Sequence, residues 1–455
     1  MLTRWSPIAP ALIAVGLALT ACGGGATPSA PTAAPTTQAK AQAPAAPQPT
    51  AAKTETPTET KIESNTASPD ARAATKPTGE PVNFGVLCDR SGPTVNVQTY
   101  LCDGVHEWID YINNGAGGIK GRPFVASEID FKYEVPLGVD GYKKMYSRDN
   151  VQHFVPLGTP LVDALAPAST DDKSVMWSPG FGLSEAADGT KFPYIFPGVA
   201  TYHSQALAAL QYIADDWKEQ GKTDNPKVVY LMYDNPAGRD PMNLIVATGP
   251  KLGLNITQAD VIPVPATTVD MTTIMTQVRE KNPDYVLSHL FGRPPALSLQ
   301  AAEKVGLPRE KMVSLVWGIA EEEIKVAGSA SEGYRGLQFA AHPNDNPQAY
   351  QLLEAYWRSS GKAPNPKARE SLHFARGMLI GNFATEVAIR ADDPNSGESL
   401  KKAAETLNNY TANGLLPGTS ITAQDHGGTR KVRVYQVQNG KLQQIRDWFE
   451  GPKPE

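Results

Sequence analysis

The side chains best suited to hold a ligand gather where short apolar runs end. A run at 84–87 breaks into Asp89-Arg90-Ser91-Gly92-Pro93-Thr94, and an amphipathic segment follows at once. Val97, Leu101, Val105, Trp108 and Ile112 fall on one helical face, so the unit reads strand, turn, helix. The turn then sits at the carboxyl edge of a sheet, where open α/β folds bind small molecules. Ser91 and Thr94 bring hydroxyls and backbone N–H groups to that edge, and Pro93 suits the first turn of the helix. This is the chemistry of hydrogen bonding. For bond breaking the sequence offers little: the histidines at 106, 153, 203, 289, 342, 373 and 426 form no HExxH pair, and no GxSxG elbow or P-loop occurs. An extracellular hydrolase using Ser91 or Ser178 with a distant histidine is the remaining catalytic alternative. No metal site and no cofactor is expected.

The same rhythm recurs along the chain. Strands are expected at 124–129, 153–157 and 174–177, the last two running into Gly158-Thr159-Pro160 and Ser178-Pro179-Gly180-Phe181-Gly182. A second series follows a helix at 202–220. Its strands, at 228–232, 256–263, 285–290 and 312–316, alternate with helices and include turns at 233–239 and 291–295. Strand, polar turn and helix in repetition specify α/β architecture with doubly wound parallel sheets. Two series of similar size imply two lobes whose turns face a shared cleft. Helices are expected at 348–360, 371–390 and 399–408. Asn439-Gly440 between the strands 432–437 and 442–448 signals a closing hairpin.

At 455 residues the chain has length for about two or three domains. With 41% hydrophobic and 20% charged residues it has the balance of a folded soluble protein, and a net charge of −5 argues against a nucleic-acid partner. The first residues stand apart. Arg4 precedes a short apolar stretch at 8–20, which reads as an export signal, and the ending Leu19-Thr20-Ala21-Cys22 resembles the lipobox of bacterial lipoproteins. Residues 1–21 are therefore expected to be a lipoprotein signal peptide and Cys22 a lipidated anchor to a bacterial membrane, each acyl CH₂ contributing roughly 0.8 kcal/mol. The Ala/Pro/Thr-rich stretch to residue 80 buries too little to fold and is expected to be a disordered tether reaching about 40 Å. The other two cysteines, Cys88 and Cys102, then lie in an oxidising compartment, where an even pair favours a disulfide across the first turn. Because strand-end to helix geometry is demanding, two buried thiols stand as the alternative.

Several stretches in this order resemble the extracytoplasmic solute-binding proteins of ABC transporters, in the Leu/Ile/Val-binding family with the type I periplasmic-binding fold. FGVLCDRSGPT opens the series. NNGAGGIKGR at 113–122, YDNPAGRD at 233–240, KLG at 251–253, NPDYV at 282–286, AGSASEGYRG at 327–336 and VYQVQNGK at 434–441 continue it, over nearly all of 81–448. The resemblance implies no reaction. It implies two lobes, 81–200 with 337–417 and 201–336 with 418–449, joined by crossings near 197–202, 334–341 and 415–422. They would close over a small solute and present it to ABC permease subunits. A receptor module that signals to a membrane sensor is the alternative use of such a fold.

Carried over position by position, the resemblance places ligand contacts at Ser91, Thr159, Ser178, Gly180, Phe181, Tyr202, Asn235, Phe291 and Trp317. Amino-acid-binding members usually have a threonine in the turn corresponding to 179–182 and an acidic residue near 316–317; here the residues are Gly or Phe, and Val or Trp. A buried ammonium without a carboxylate costs several kcal/mol, so a free amino acid is disfavoured unless one of Glu321 to Glu323 swings in. The aromatic residues point to an apolar or aromatic acid or amide, with an amino-acid-like compound as the alternative, and Arg90 or Arg293 is expected to meet an anionic group.

Overall fold

Parallel strands flanked by helices build two separate sheets. The computed structural model describes residues 75–265 and 267–453, all within one contact-defined unit, Ser64–Glu455. Cys22 and the tether up to residue 74 lie outside the described residues. Among the described residues no helix is long and apolar enough to cross a membrane.

The first sheet takes its strands from β1 (Val82–Cys88), β2 (Phe124–Asp130), β3 (His153–Pro156), β4 (Val175–Trp177) and β5 (Ile195–Phe196), in the spatial order β2-β1-β3-β4-β5 with every pair parallel. Helices α1 (Val95–Gly115), α2 (Val135–Asp149) and α3 (Thr159–Asp171) make the crossovers. β1 is buried nearly throughout, which is why it reads as a continuous apolar run instead of an alternating one.

The chain then leaves through α4 (Tyr202–Glu219), capped by Thr201, whose hydroxyl accepts from Ser204 N. It builds β6 (Val228–Tyr233), α5 (Pro236–Arg239), α6 (Met242–Thr248), β7 (Val261–Val264), α7 (Thr272–Glu280), β8 (Tyr285–His289) and α8 (Pro294–Val305). β9 (Met312–Ser314), α9 (Glu321–Ala327) and β10 (Arg335–Gln338) follow. After helices α10 (Gln348–Ser360), α11 (Leu372–Arg390) and α12 (Gly397–Ala404), the hairpin β11 (Val432–Gln438) and β12 (Lys441–Phe449) completes a seven-stranded sheet, β12-β11-β10-β9-β8-β6-β7. β11 joins antiparallel to β10, and Asn439 and Gly440 both take positive φ at the hairpin tip, as Asn-Gly turns require.

Two expectations shift. Residues 335–338 form β10 and pair with β9 and β11, so the second passage between the sheets begins only after Gln338. The strand expected from residue 256 starts at Val261, because a short capped turn at Gln258–Asp260 occupies the approach.

Helix α11 returns to the first sheet and packs along α1. Two glycines permit the crossing: a Cβ on Gly104 would stand 2.3 Å from Phe374 O, and one on Gly377 would stand 2.0 Å from Leu101 O. The backbones meet there with no side chain between them. The five apolar positions read along α1 are all buried. Residues 372–388 of α11 are buried on every side, the pattern of a helix sandwiched between others.

Candidate functional site

The first turn is organised by Asp89, a fully buried carboxylate. It accepts from the backbone N–H of Ser91 at 3.2 Å and of Thr94 at 2.9 Å, and from the Thr94 hydroxyl at 2.7 Å. Gln98 completes the lock, accepting from Asp89 N at 2.7 Å and donating to Thr94 Oγ1 at 3.0 Å and Leu157 O at 3.2 Å. Cys88 and Cys102 are joined by a disulfide with Cα atoms 6.6 Å apart, which ties the end of β1 to α1 across this turn. The Asp89 turn directs Thr94 inward and Ser91 outward: Ser91 is exposed and donates to Asp130 Oδ2 at 2.7 Å.

Thr94 opens one side of a small cavity of about 40 Å³ between the two sheets. From α1 come Val97, Gln98 and Leu101; from the strand ends of the first sheet come Tyr133, Leu157, Gly158, Thr159 and Phe181. Tyr202, Phe291 and Trp317 close it from the other side. Of the expected contacts, the structure brings Thr159, Phe181, Tyr202, Phe291 and Trp317 together here. Ser91, Ser178, Gly180 and Asn235 stand outside the lining. Ser178 is buried below the turn, its hydroxyl without a hydrogen-bond partner among the described residues, and Asn235 caps α5, accepting from Gly238 N. Gly180 serves through its carbonyl. Trp317 Nε1 donates to Gly180 O at 2.6 Å, reaching across the cleft, and Gln205 Nε2 donates to the same oxygen at 2.9 Å.

Other contacts hold the two sides together. Thr159 Oγ1 and Tyr202 OH lie 3.1 Å apart, Phe181 meets Trp317 edge-on at 5.9 Å, and Asn96 Nδ2 donates to Gly292 O at 3.1 Å. Ser184 Oγ donates to Asp240. The arrangement is a closed cleft. Burial pushes the Tyr202 hydroxyl well above the usual tyrosine range, so it stays a neutral hydrogen-bonding group. No lining residue bears a charge at neutral pH.

The two arginines expected to meet an anion are elsewhere. Arg90 holds Glu128 through Nε at 2.7 Å and Nη2 at 2.8 Å, and Asp103 through Nη1 at 2.7 Å. Burial alone would raise the Glu128 carboxyl, but hydrogen bonds from Arg90 and His106 outweigh it and bring the pKa down to about 2. Arg293 is exposed at the start of α8 and does not line the cavity.

The Glu321 to Glu323 run lies behind the wall, not in the cavity. Arg376, fully buried, sets its guanidinium 4.7 Å from the Trp317 ring centre, donates to Val316 O at 2.6 Å and His373 Nδ1 at 2.9 Å, and pairs with Gln338. His373 lies parallel to Trp317 at 6.1 Å. Glu321 accepts from Leu372 N at 2.9 Å and pairs with His342 at 2.6 Å, and Asn96 donates to Glu323 at 3.3 Å. Burial raises the carboxyls of Glu322 and Glu323 and lowers His373 to about 4 and Arg376 to about 10. Trp317 thus rests on a polar layer that fixes its ring.

A family model described as periplasmic binding protein matches residues 81–441. The chain belongs to this family. Solved structures agree on the fold of this binding protein. It is similar to an ABC transporter permease from the Pseudomonas fluorescens group (25% identity, TM-score 0.71, covering 81% of this chain and 92% of that one). A branched-chain amino acid ABC transporter from Thermus thermophilus with bound valine is also similar (21%, TM-score 0.71, 81% and 96%). So is a solute-binding protein from R. palustris in complex with 4-hydroxybenzoate (18%, TM-score 0.68, 82% and 98%). No curated protein sequence matches the chain. Membership makes it a periplasmic binding protein, and the solved structures give it the two-lobed type I fold. The lining residues that the sequence reading missed, Tyr133 and Leu157 among them, all follow a strand's carboxyl end or open α1. Position at a strand end was the available signal.

Proposed function

We propose that this binding protein carries one small, neutral, apolar or aromatic solute, an amide fitting better than an acid, to ABC permease subunits outside the cytoplasmic membrane. The observation that carries this reading is the lining of the small cavity, walled by Phe181, Tyr202, Phe291 and Trp317 without a charged side chain. In this closed form its volume is well below the roughly 300–1,000 Å³ of ligand sites, so a solute enters by parting the two walls. An ammonium or carboxylate buried there without a counter-charge would cost several kcal/mol, whereas an amide or hydroxyl finds hydroxyl partners in Thr159 and Tyr202. Bound solute favours closure by touching both lobes at once. Cys22, through its acyl chains, is proposed to anchor the protein to the membrane, with the stretch to residue 80 as tether.

A thermal-shift panel of benzamide, benzyl alcohol, benzoate, L-leucine and L-phenylalanine tests the proposal. A ligand at 100 times its Kd adds about 2.7 kcal/mol. The neutral aromatics are expected to raise Tm and the zwitterions to leave it unchanged; stabilisation by leucine alone would sink the reading.

A further inference from the structure

Behind the Trp317 wall the protein buries acidic groups that the cavity does not use. Glu322 and Glu323 lie in the first turn of α9, which packs on α8 and β12, and His373 opens α11, which packs along α1. The group therefore spans the two lobes. Ligand-type atoms of the three side chains all lie within 4.8 Å of one another. His373 is fully buried, Glu323 is 1% exposed and Glu322 is 9% exposed. Both oxygens of Glu322, Oε2 of Glu323 and Nε2 of His373 have no partner in hydrogen-bond geometry among the described residues. His373 Nε2 lies 3.4 Å from Glu323 Oε2, close enough for both atoms to reach one ion.

Unpaired acceptors in a dry interior are strongly unfavourable. Once a metal displaces the protons of Glu322 and Glu323, with the imidazoles neutral, the carboxylates of Glu321, Glu322 and Glu323 and the guanidinium of Arg376 sum to −2, which a divalent cation brings to zero. We propose that Glu322, Glu323 and His373 form a site for a divalent transition-metal ion of the zinc class, which ties the two lobes together in the closed state. Two carboxylate oxygens and one imidazole nitrogen, with a fourth position left for water, are a ligand set that zinc accepts. Calcium takes six or more oxygens and magnesium a full octahedron, so both are poorly served here. Arg376 donates to His373 Nδ1. When Nε2 ligates a metal, Nδ1 carries the proton, so Arg376 Nη1, 2.9 Å away, has to turn aside from it while Nη2 keeps Val316 O and Gln338. Because the ligands come from both lobes, metal enters with the cleft open.

The full chain, stripped with a chelator and dialysed against buffered Zn²⁺, is expected to hold one tightly bound Zn²⁺ by elemental analysis. Zn²⁺ raises its Tm, and Co²⁺ in its place gives visible absorption bands. His373→Gln and Glu322→Gln lose the tight site, the Tm response and the bands, with far-UV circular dichroism showing that they fold. Mg²⁺ and Ca²⁺ give no response. Wild-type protein without stoichiometric Zn²⁺ overturns the proposal even if the variants fail to fold, and so does Zn²⁺ retained equally by folded variants.

Discussion

Trp317 lines the cavity with its ring, bonds Gly180 O across the cleft through Nε1, and rests on Arg376 and His373. Trp317→Phe keeps an aromatic face and deletes the donor, so a solute found by the thermal-shift panel should bind about tenfold more weakly, matching the loss of one hydrogen bond of about 1–1.5 kcal/mol; isothermal titration reads the change. Gly180→Ala should lower Tm. The residue has φ +76°, and an added Cβ would stand 2.2 Å from the Phe339 ring, so both backbone strain and a clash oppose it. Glu128 supplies a pH test. Its folded pKa, about 2, lies below the ordinary value of 4.5, so its stabilising contribution is complete above about pH 4.5 and is lost as pH falls towards 2. Glu128→Gln should be less stable than wild type at pH 7 by about 1 kcal/mol, and urea titrations should show the gap closing between pH 4.5 and 2.

At the scale of elements, the first strand-turn-helix unit is fixed by the Asp89 turn and the disulfide. Closing a loop of 14 residues should contribute about 3 kcal/mol, so reduction by dithiothreitol should lower Tm, and Cys102→Ser should reproduce the effect. Much of this architecture was legible in the sequence. The face of α1, the strand-turn-helix rhythm and the Asn-Gly hairpin are local signals, set by periodicity and turn chemistry. What escaped is non-local. Ser91 and Thr94 have hydroxyls of the same type in one turn, and only the carboxylate of Asp89 decides which faces inward. Arg90 read as a free cation because Glu128 lies 38 positions away. β10 was hidden because its pairing with β9 and β11 comes from distant parts of the chain. Arg376 and His373 gave no signal, since burial in α11 is imposed by α1.

Over the whole molecule, cross-cleft contacts define closure: Trp317 to Gly180, Tyr202 to Thr159, Asn96 to Gly292 and Ser184 to Asp240. Each is modest, so a solute that touches both walls can decide between open and closed states. The charge of that solute is decisive, because the cavity lining has no ionic partner to offer. Benzamide and benzoate have nearly the same shape and differ in charge. Isothermal titration of the full chain with both at pH 7.5 should show benzamide binding at least tenfold more tightly. Tighter binding of benzoate would contradict the account.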